Sequence, residues 1–325
     1  MPLDIQMKSV LDAMAAAKNP AFHTLTPQEA RRIAAARPQP GEPETVAKVE
    51  DRKIPSPGGD IPIRIYTPAG VPPFGVLVYF HGGGWVLGNI AMTDQPCRLL
   101  ANASGCMLVS VEYRLAPEDR FPAGPEDCYS ATKWVSDNAA LLNVDPTRIG
   151  VGGTSAGATL AAAVTLMARD RRGPHLAYQL LVYPATTTEL TTASHSQFAK
   201  DNYYILSRAD MEWFWGHYLA HDEDRKNPYA CPAYAKSLRG LPPAFVITAE
   251  FDPLRDEGEA YAVRLSDEGV STILKRYDGV THGFFGMPGL LKRLKPPLGM
   301  LLGRYAAPSA RELKRTQQAR KQGFG

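Results

Sequence analysis

The sequence predicts an α/β fold: a mostly parallel, eight-stranded sheet flanked by helices, with further helices folded over it as a cap. Three observations predict it. Short apolar runs rich in β-branched and aromatic residues recur at VLVYF (76–80), CMLVSVEY (106–113), RIGVGG (148–153), YQLLVY (178–183), AFVITAE (244–250) and TILKRY (272–277). Helical stretches lie between most of these runs, and strands that alternate with helices build parallel sheets covered on both faces. The interval 185–230 is too long for a simple crossover. Its Trp213, Phe214, Trp215 and Tyr218 give it the apolar surface to lie on the sheet as helices.

Taken in order, residues 1 to about 40 read as two helices. The second opens at Thr26-Pro27 with Glu29 following, an N-cap with proline at the first helical position. Pro38, Pro40 and Pro43 end that segment in a linker. Two strand-like runs follow, Thr45 to Ile54 and Ile61 to Thr67, separated by Pro-Gly-Gly turn chemistry. They complete the eight strands. No internal repeat is present.

Composition narrows the function classes. At 325 residues, with 44% hydrophobic and 21% charged, the chain has the make-up of a globular protein able to bury a full core. No run of 18 or more apolar residues occurs, so no spanning helix and no membrane partner are expected. The N-terminus carries Asp4, Lys8 and Asp12 through its apolar positions and reads as an amphipathic helix, not a secretory signal. Cys97, Cys106, Cys128 and Cys231 form no CxxC pair and no metal-type spacing. Reduced core thiols in a cytoplasmic protein are expected, with no metal. From Leu291 onward nine Lys or Arg face one acid, Glu312. A basic tail can bind nucleic acid, but without aromatic interleaving or a binding motif it reads as a solvated terminal helix, so no nucleic-acid partner is expected.

The chemistry-bearing residues come in four groups. First, the strand at 148–153 runs through Gly153-Thr154-Ser155-Ala156-Gly157 into the helix-forming ATLAAAVTLMAR. This is G-x-S-x-G between strand and helix, a turn so sharp that its serine is held with the hydroxyl exposed. Second, the strand at 76–80 ends in His81-Gly82-Gly83-Gly84-Trp85. Glycines leave backbone N–H groups uncovered, and such donors stabilise the oxyanion that forms in acyl transfer. Gly82, Gly83 and Ala156 are the expected donors. A tight turn or a phosphate loop would also use glycines, although the Lys-Ser/Thr of a nucleotide loop is missing. Third, a serine hydroxyl needs a general base. Of seven histidines, His282 lies in a loop just beyond a strand, where such sheets place their sites. His81 is expected to position the glycine loop, and His23, His175, His195, His217 and His221 to have structural or surface roles. Fourth, Asp252 follows the strand at 244–250 and gives the chain order Ser, Asp, His. Asp256 is its rival, but its place in the first turn of the next helix suits the helix dipole.

With these residues in view, the chain resembles the hormone-sensitive-lipase-like family of carboxylesterases, of the α/β-hydrolase fold, in its GTSAG branch. HGGGW at 81–85, YRLAPE at 113–118 with FPA at 121–123, GTSAG at 153–157, DPLRDEG at 252–258 and HGF at 282–284 occur in the family's order. The resemblance implies a cap made of residues 1–40 and the insertion 185–225, with residues 41–184 and 226–325 as the catalytic core. It also implies activity on short- to medium-chain acyl esters, with no cofactor. Two features depart from the commoner pattern. Thr154 stands where most members have Asp before the serine, which is expected to alter hydrogen bonding around the turn. Pro296-Pro297 and a basic Ser309-to-Lys321 helix replace a single closing helix.

The expected function is therefore hydrolysis of a small-molecule ester by Ser155, His282 and Asp252, with Trp85, Trp213 and Phe214 shaping the substrate pocket. Amide or lactone hydrolysis would use the same triad. An inactive binding protein on this fold would typically have lost a triad member, and all three are present. A homodimer is compatible with the sequence.

Overall fold

A computed structural model describes residues 2–36, 41–200, 203–287, 289 and 290. Two helices open the chain, α1 (Ile5–Ala16) and α2 (Pro27–Ala35), with a 3₁₀ turn at Phe22–Thr24 between them. Thr26 caps α2 as its Thr-Pro signal predicts: the Thr26 hydroxyl accepts the Glu29 N–H, and the Glu29 carboxylate accepts the Thr26 N–H. The hairpin β1 (Lys48–Ile54) and β2 (Ile61–Thr67) comes next. Then come β3 (Phe74–Phe80), α3 (Asp94–Ser104), β4 (Met107–Val111), α4 (Ala123–Asp137), α5 (Ala139–Leu142), β5 (Val144–Thr154), α6 (Ala156–Asp170) and β6 (Tyr178–Val182). The insertion contributes α7 (Ala193–Phe198) and α8 (Arg208–Tyr218), before β7 (Ala244–Phe251), α9 (Arg255–Asp267) and β8 (Thr272–Thr281).

The eight strands form one sheet in the order β1-β2-β4-β3-β5-β6-β7-β8. β1 pairs antiparallel with β2 and β2 with β4; every other pairing is parallel. Central parallel strands are covered on both faces and read as continuous apolar runs. β3, FGVLVYF, is buried at every position. Its Val76, Val78 and Phe80 face a core shared with α2, α4, α6, α8 and α9. Leu77 and Tyr79 face a second core filled by α1, α3 and Phe284–Phe285.

One expectation changes. β8 does not stop at Tyr277. It shifts register after Ala249 of β7 and resumes pairing at Phe251↔Thr281, so His282 directly follows a strand instead of lying five residues beyond one. The first N-terminal helix packs under the sheet and also meets the insertion, where the Tyr203 hydroxyl donates to Asp12 Oδ1 at 3.2 Å. Met7 and Leu11 of α1 are buried in the second core, and the Asp4 N–H donates to Gly279 O of β8 at 2.8 Å. The expected basic helix at Ser309–Lys321 and Pro296-Pro297 lie outside the described residues.

One close approach fixes the angle between a central strand and its helix. α6 starts hard against the end of β3: a Cβ on Gly157 would overlap Phe80 O and lie 2.5 Å from His81 O, and one on Gly153 would lie 2.5 Å from Phe80 O. The obstacles are backbone atoms and cannot rotate away. Gly216 in α8 is the opposite case, exposed, with nothing within 4 Å of an added Cβ. Gly157→Ala is therefore expected to destabilise the fold by about 1–3 kcal/mol through overpacking. Gly216→Ala is expected to stabilise it by about 0.5–1 kcal/mol, because alanine loses less backbone freedom in a helix. Urea unfolding of both variants tests the pair. Equal changes in midpoint would contradict this packing.

Candidate active site

β3, β5, β6, β7 and β8 end at Phe80, Thr154, Val182, Phe251 and Thr281, and the next residues are His81, Ser155, Tyr183, Asp252 and His282. The parallel register places these strand ends side by side, with Phe80 beside Gly153, Thr154 beside Val182 and Phe251 beside Thr281. Five residues from five distant stretches of chain thus gather at one edge of the sheet.

Ser155 sits at the turn between β5 and α6 with φ +54° and ψ −124°, outside the regions a non-glycine residue normally occupies. Such a conformation costs on the order of 1–3 kcal/mol and persists because the surroundings enforce it. Its N–H donates to Val182 O at 2.9 Å, and the helix after it is pinned against β3. The hydroxyl lies 3.0 Å from His282 Nε2, and His282 Nδ1 lies 2.8 Å from Asp252 Oδ2. A carboxylate only accepts, so Nδ1 carries the imidazole proton and Nε2 is left to accept from Ser155. Asp252 is fully buried, and its other oxygen accepts the Leu254 N–H at 2.8 Å. Asp256 takes no part in this chain of bonds. It lies in the first turn of α9, paired with Arg255 and accepting the Ser194 N–H.

The glycine loop is set against the same turn. A Cβ on Gly82 would lie 2.9 Å from Thr154 O and 3.4 Å from Ser155 Cβ. Among the described residues, no acceptor takes the N–H of Gly82, Gly83 or Ala156. His81 braces the loop from below: Nδ1 donates to Gly82 O at 2.8 Å, and the ring stacks 4.3 Å from Tyr113, whose hydroxyl donates to His81 O. Burial pushes the His81 imidazole down to about 4, so it stays neutral in the folded protein. The unfolded chain takes up that proton near the ordinary imidazole value of about 6.5, so this group withdraws stability as pH falls from there towards 4. Thr154 accepts a 3.4 Å hydrogen bond from the buried Tyr79 hydroxyl, the contact found where most members of the resembled family have a carboxylate.

An apolar cavity of about 280 Å³ opens over Ser155, His282 and the glycine loop. Trp85 lines it, wedged 4.4 Å from Tyr218 and 4.2 Å from Trp215. Phe214 lines it beside Gly84, where an added Cβ would strike the ring. Trp213, expected to do the same, is not among the lining residues; it packs on Phe214 and His217. Neighbouring residues of a helix point about 100° apart, and α8 buries Met211, Phe214, Trp215 and Tyr218, which share one stripe that Trp213 misses. Sequence reasoning passed over Tyr183, whose ring lies 4.5 Å from the His282 imidazole. Its signal was available, since it follows a strand just as Ser155, Asp252 and His282 do. Ile205, Leu206, Met211 and Phe285 also line the cavity and belong to no motif. Among the described residues, no group of three or more His, Cys, Asp or Glu side chains could hold a metal ion.

Known proteins share this arrangement of the chain. A family model described as an alpha/beta hydrolase fold matches residues 77–286. An arylesterase of Saccharolobus solfataricus is 37% identical over 305 residues, covering 93% of this chain and 98% of its own. A carboxylesterase of Mycobacterium tuberculosis is 42% identical over 243 residues, covering 73% and 75%. Among solved structures, a hyperthermophilic esterase from Pyrobaculum calidifontis superposes with a TM-score of 0.85 at 40% identity, covering 94% of this chain and 98% of its own. A thermostable esterase from Pseudomonas putida superposes with a TM-score of 0.89 at 34% identity, covering 95% and 99%. The chain belongs to the α/β-hydrolase fold family, in the hormone-sensitive-lipase-like group.

Proposed function

We propose that this chain is a serine carboxylesterase acting on short- to medium-chain acyl esters. The observation that carries the reading is the chain of hydrogen-bond distances Ser155 Oγ–His282 Nε2–Asp252 at 3.0 and 2.8 Å, next to three backbone N–H groups without acceptors. Ser155 Oγ attacks the ester carbonyl carbon while its proton passes to His282 Nε2. Asp252 stabilises the imidazolium and keeps the ring in the tautomer the step needs. The carbonyl oxygen becomes an anion at the N–H groups of Gly82, Gly83 and Ala156, each worth about 3–4 kcal/mol of barrier when preorganised. Collapse breaks the ester C–O bond, and His282 returns its proton to the departing alkoxide. Water, deprotonated by the same imidazole, then releases the acid from Ser155.

The apolar cavity of about 280 Å³ supports short acyl groups over long ones, and the esterase names of the relatives support the ester bond. The reading extends to place and assembly. A cytoplasmic location agrees with four buried free thiols, of which Cys97 and Cys231 are pushed up to about 12 by burial. A homodimer would meet through the edge strand β8, where Ile273 and Leu274 are exposed. Among the described residues, no helix is long and apolar enough to cross a membrane.

Each buried methylene adds up to about 0.8 kcal/mol until the cavity ends. Across p-nitrophenyl esters, kcat/KM is expected to climb from acetyl, peak at about four to six carbons and fall steeply by about twelve, with anilides and lactones cleaved far more slowly. A maximum at palmitoyl, or faster cleavage of the anilide, would contradict the reading. The acid and its rival separate by mutation. Asp252→Asn is expected to lower kcat by about 10⁴, since it reverses the histidine tautomer. Asp256→Asn is expected to change kcat by less than about tenfold, acting on the partly exposed Arg255 pair. The reverse order of effects would assign the acid role to Asp256.

A further inference from the structure

Asp210 does more than cap its own helix. Its Oδ2 accepts the Ser207 N–H at 3.4 Å while its N–H donates to the Ser207 hydroxyl at 3.1 Å, a reciprocal cap that occupies one carboxylate oxygen. The other oxygen, Oδ1, accepts from two donors 187 residues earlier in the chain, the His23 N–H at 3.0 Å and His23 Nδ1 at 2.8 Å. The Asp210 side chain is 1% exposed and that of His23 is 34% exposed. A buried carboxylate that accepts charge-assisted bonds from a separate segment holds that segment firmly.

The segment it holds is part of the cavity. Phe22, next to His23, lines the cavity with its ring 5.9 Å from Phe214, and Ala34 of α2 lines it further along. α2 is fastened to the sheet domain by Arg31, whose guanidinium donates to Val86 O at 2.8 Å and Ala116 O at 2.7 Å and pairs with Glu118. The stretch from Phe22 to Ala35 therefore has two fastenings, one to the sheet domain through Arg31 and one to the insertion through His23.

We propose that the His23–Asp210 contact is a specificity clasp that holds Phe22 against Phe214 as the end wall for the acyl chain. It rests on the reading of the protein as an esterase. In this arrangement the leaving alcohol, which must stay within reach of His282 Nε2, takes the side of the cavity lined by Gly283 and Ile205. The acyl chain then extends from Ser155 the other way, along the glycine loop to Gly84, where Phe214 and Phe22 both line the cavity with rings 5.9 Å apart. His23 touches no substrate; it is a positioning residue that acts through Phe22.

The test is kcat/KM for p-nitrophenyl acetate to dodecanoate, measured for wild type, His23→Ala, His23→Asn and Phe22→Ala. His23→Ala loses the side-chain bond and is expected to raise the decanoate-to-butanoate ratio by about tenfold, the gain from burying roughly two more methylenes, chiefly through a lower KM for decanoate. Phe22→Ala removes the wall itself and should shift the ratio the same way, which keeps the test valid if His23→Ala folds poorly. Asn places an amide N–H where Nδ1–H stood, so His23→Asn should keep the wild-type ratio. An active wild type with an unchanged ratio in both alanine variants overturns the clasp alone, as does a shift in His23→Asn equal to that in His23→Ala. A wild type that cleaves none of these esters overturns the esterase reading and the clasp with it.

Discussion

The site depends on the backbone contact between the start of α6 and the end of β3. Gly153 and Gly157 let α6 leave β5 at an angle no side chain would permit, with Phe80 O and His81 O against their Cα atoms. That contact does two things together. It forces Ser155 into its strained conformation with the hydroxyl outward, and it brings the glycine loop after Phe80 alongside the same serine. The unclaimed N–H groups and the hydroxyl thus share a single backbone constraint. Fixed donors need no reorganisation when charge develops, which is what makes them effective.

A second constraint is the parallel register. Each central strand ends at nearly the same level, and the residue after each end projects from the sheet edge. Asp252 and His282 therefore meet at 2.8 Å although 30 residues separate them. The shift of register between Ala249 and Phe251 lengthens β8 to Thr281 and delivers His282 directly from a strand. A histidine held by a strand end keeps its orientation better than one on a loop, and Tyr183 from the neighbouring strand packs on its ring.

Much of this was legible in the sequence because it is written in local signals. Alternating apolar runs marked the strands, and Thr26-Pro27 marked the start of α2. Gly-x-Ser-x-Gly between strand and helix marked the turn at Ser155, and Asp256 fell in the first turn of a helix as its position suggested. What escaped was tertiary. The β8 extension arises from an irregularity in pairing with β7, which no local pattern records. Trp213 and Phe214 are equally aromatic, and only the packing of α8 decides which of them reaches the cavity. His23 and His195 looked alike in the sequence. One holds Asp210 across the cavity wall, and the other is 3% exposed, with Nδ1 on the Thr192 hydroxyl.

The central claim is that Ser155 is an activated nucleophile, and a covalent label tests it most directly. An alkyl phosphonate that mimics the tetrahedral intermediate forms a bond only to an activated hydroxyl. Incubation with it, followed by peptide mass spectrometry, is predicted to find one adduct, on the peptide containing Ser155, with activity lost in proportion to labelling and no adduct on Ser155→Ala. An adduct on another residue, or near wild-type hydrolysis by Ser155→Ala, would contradict the account.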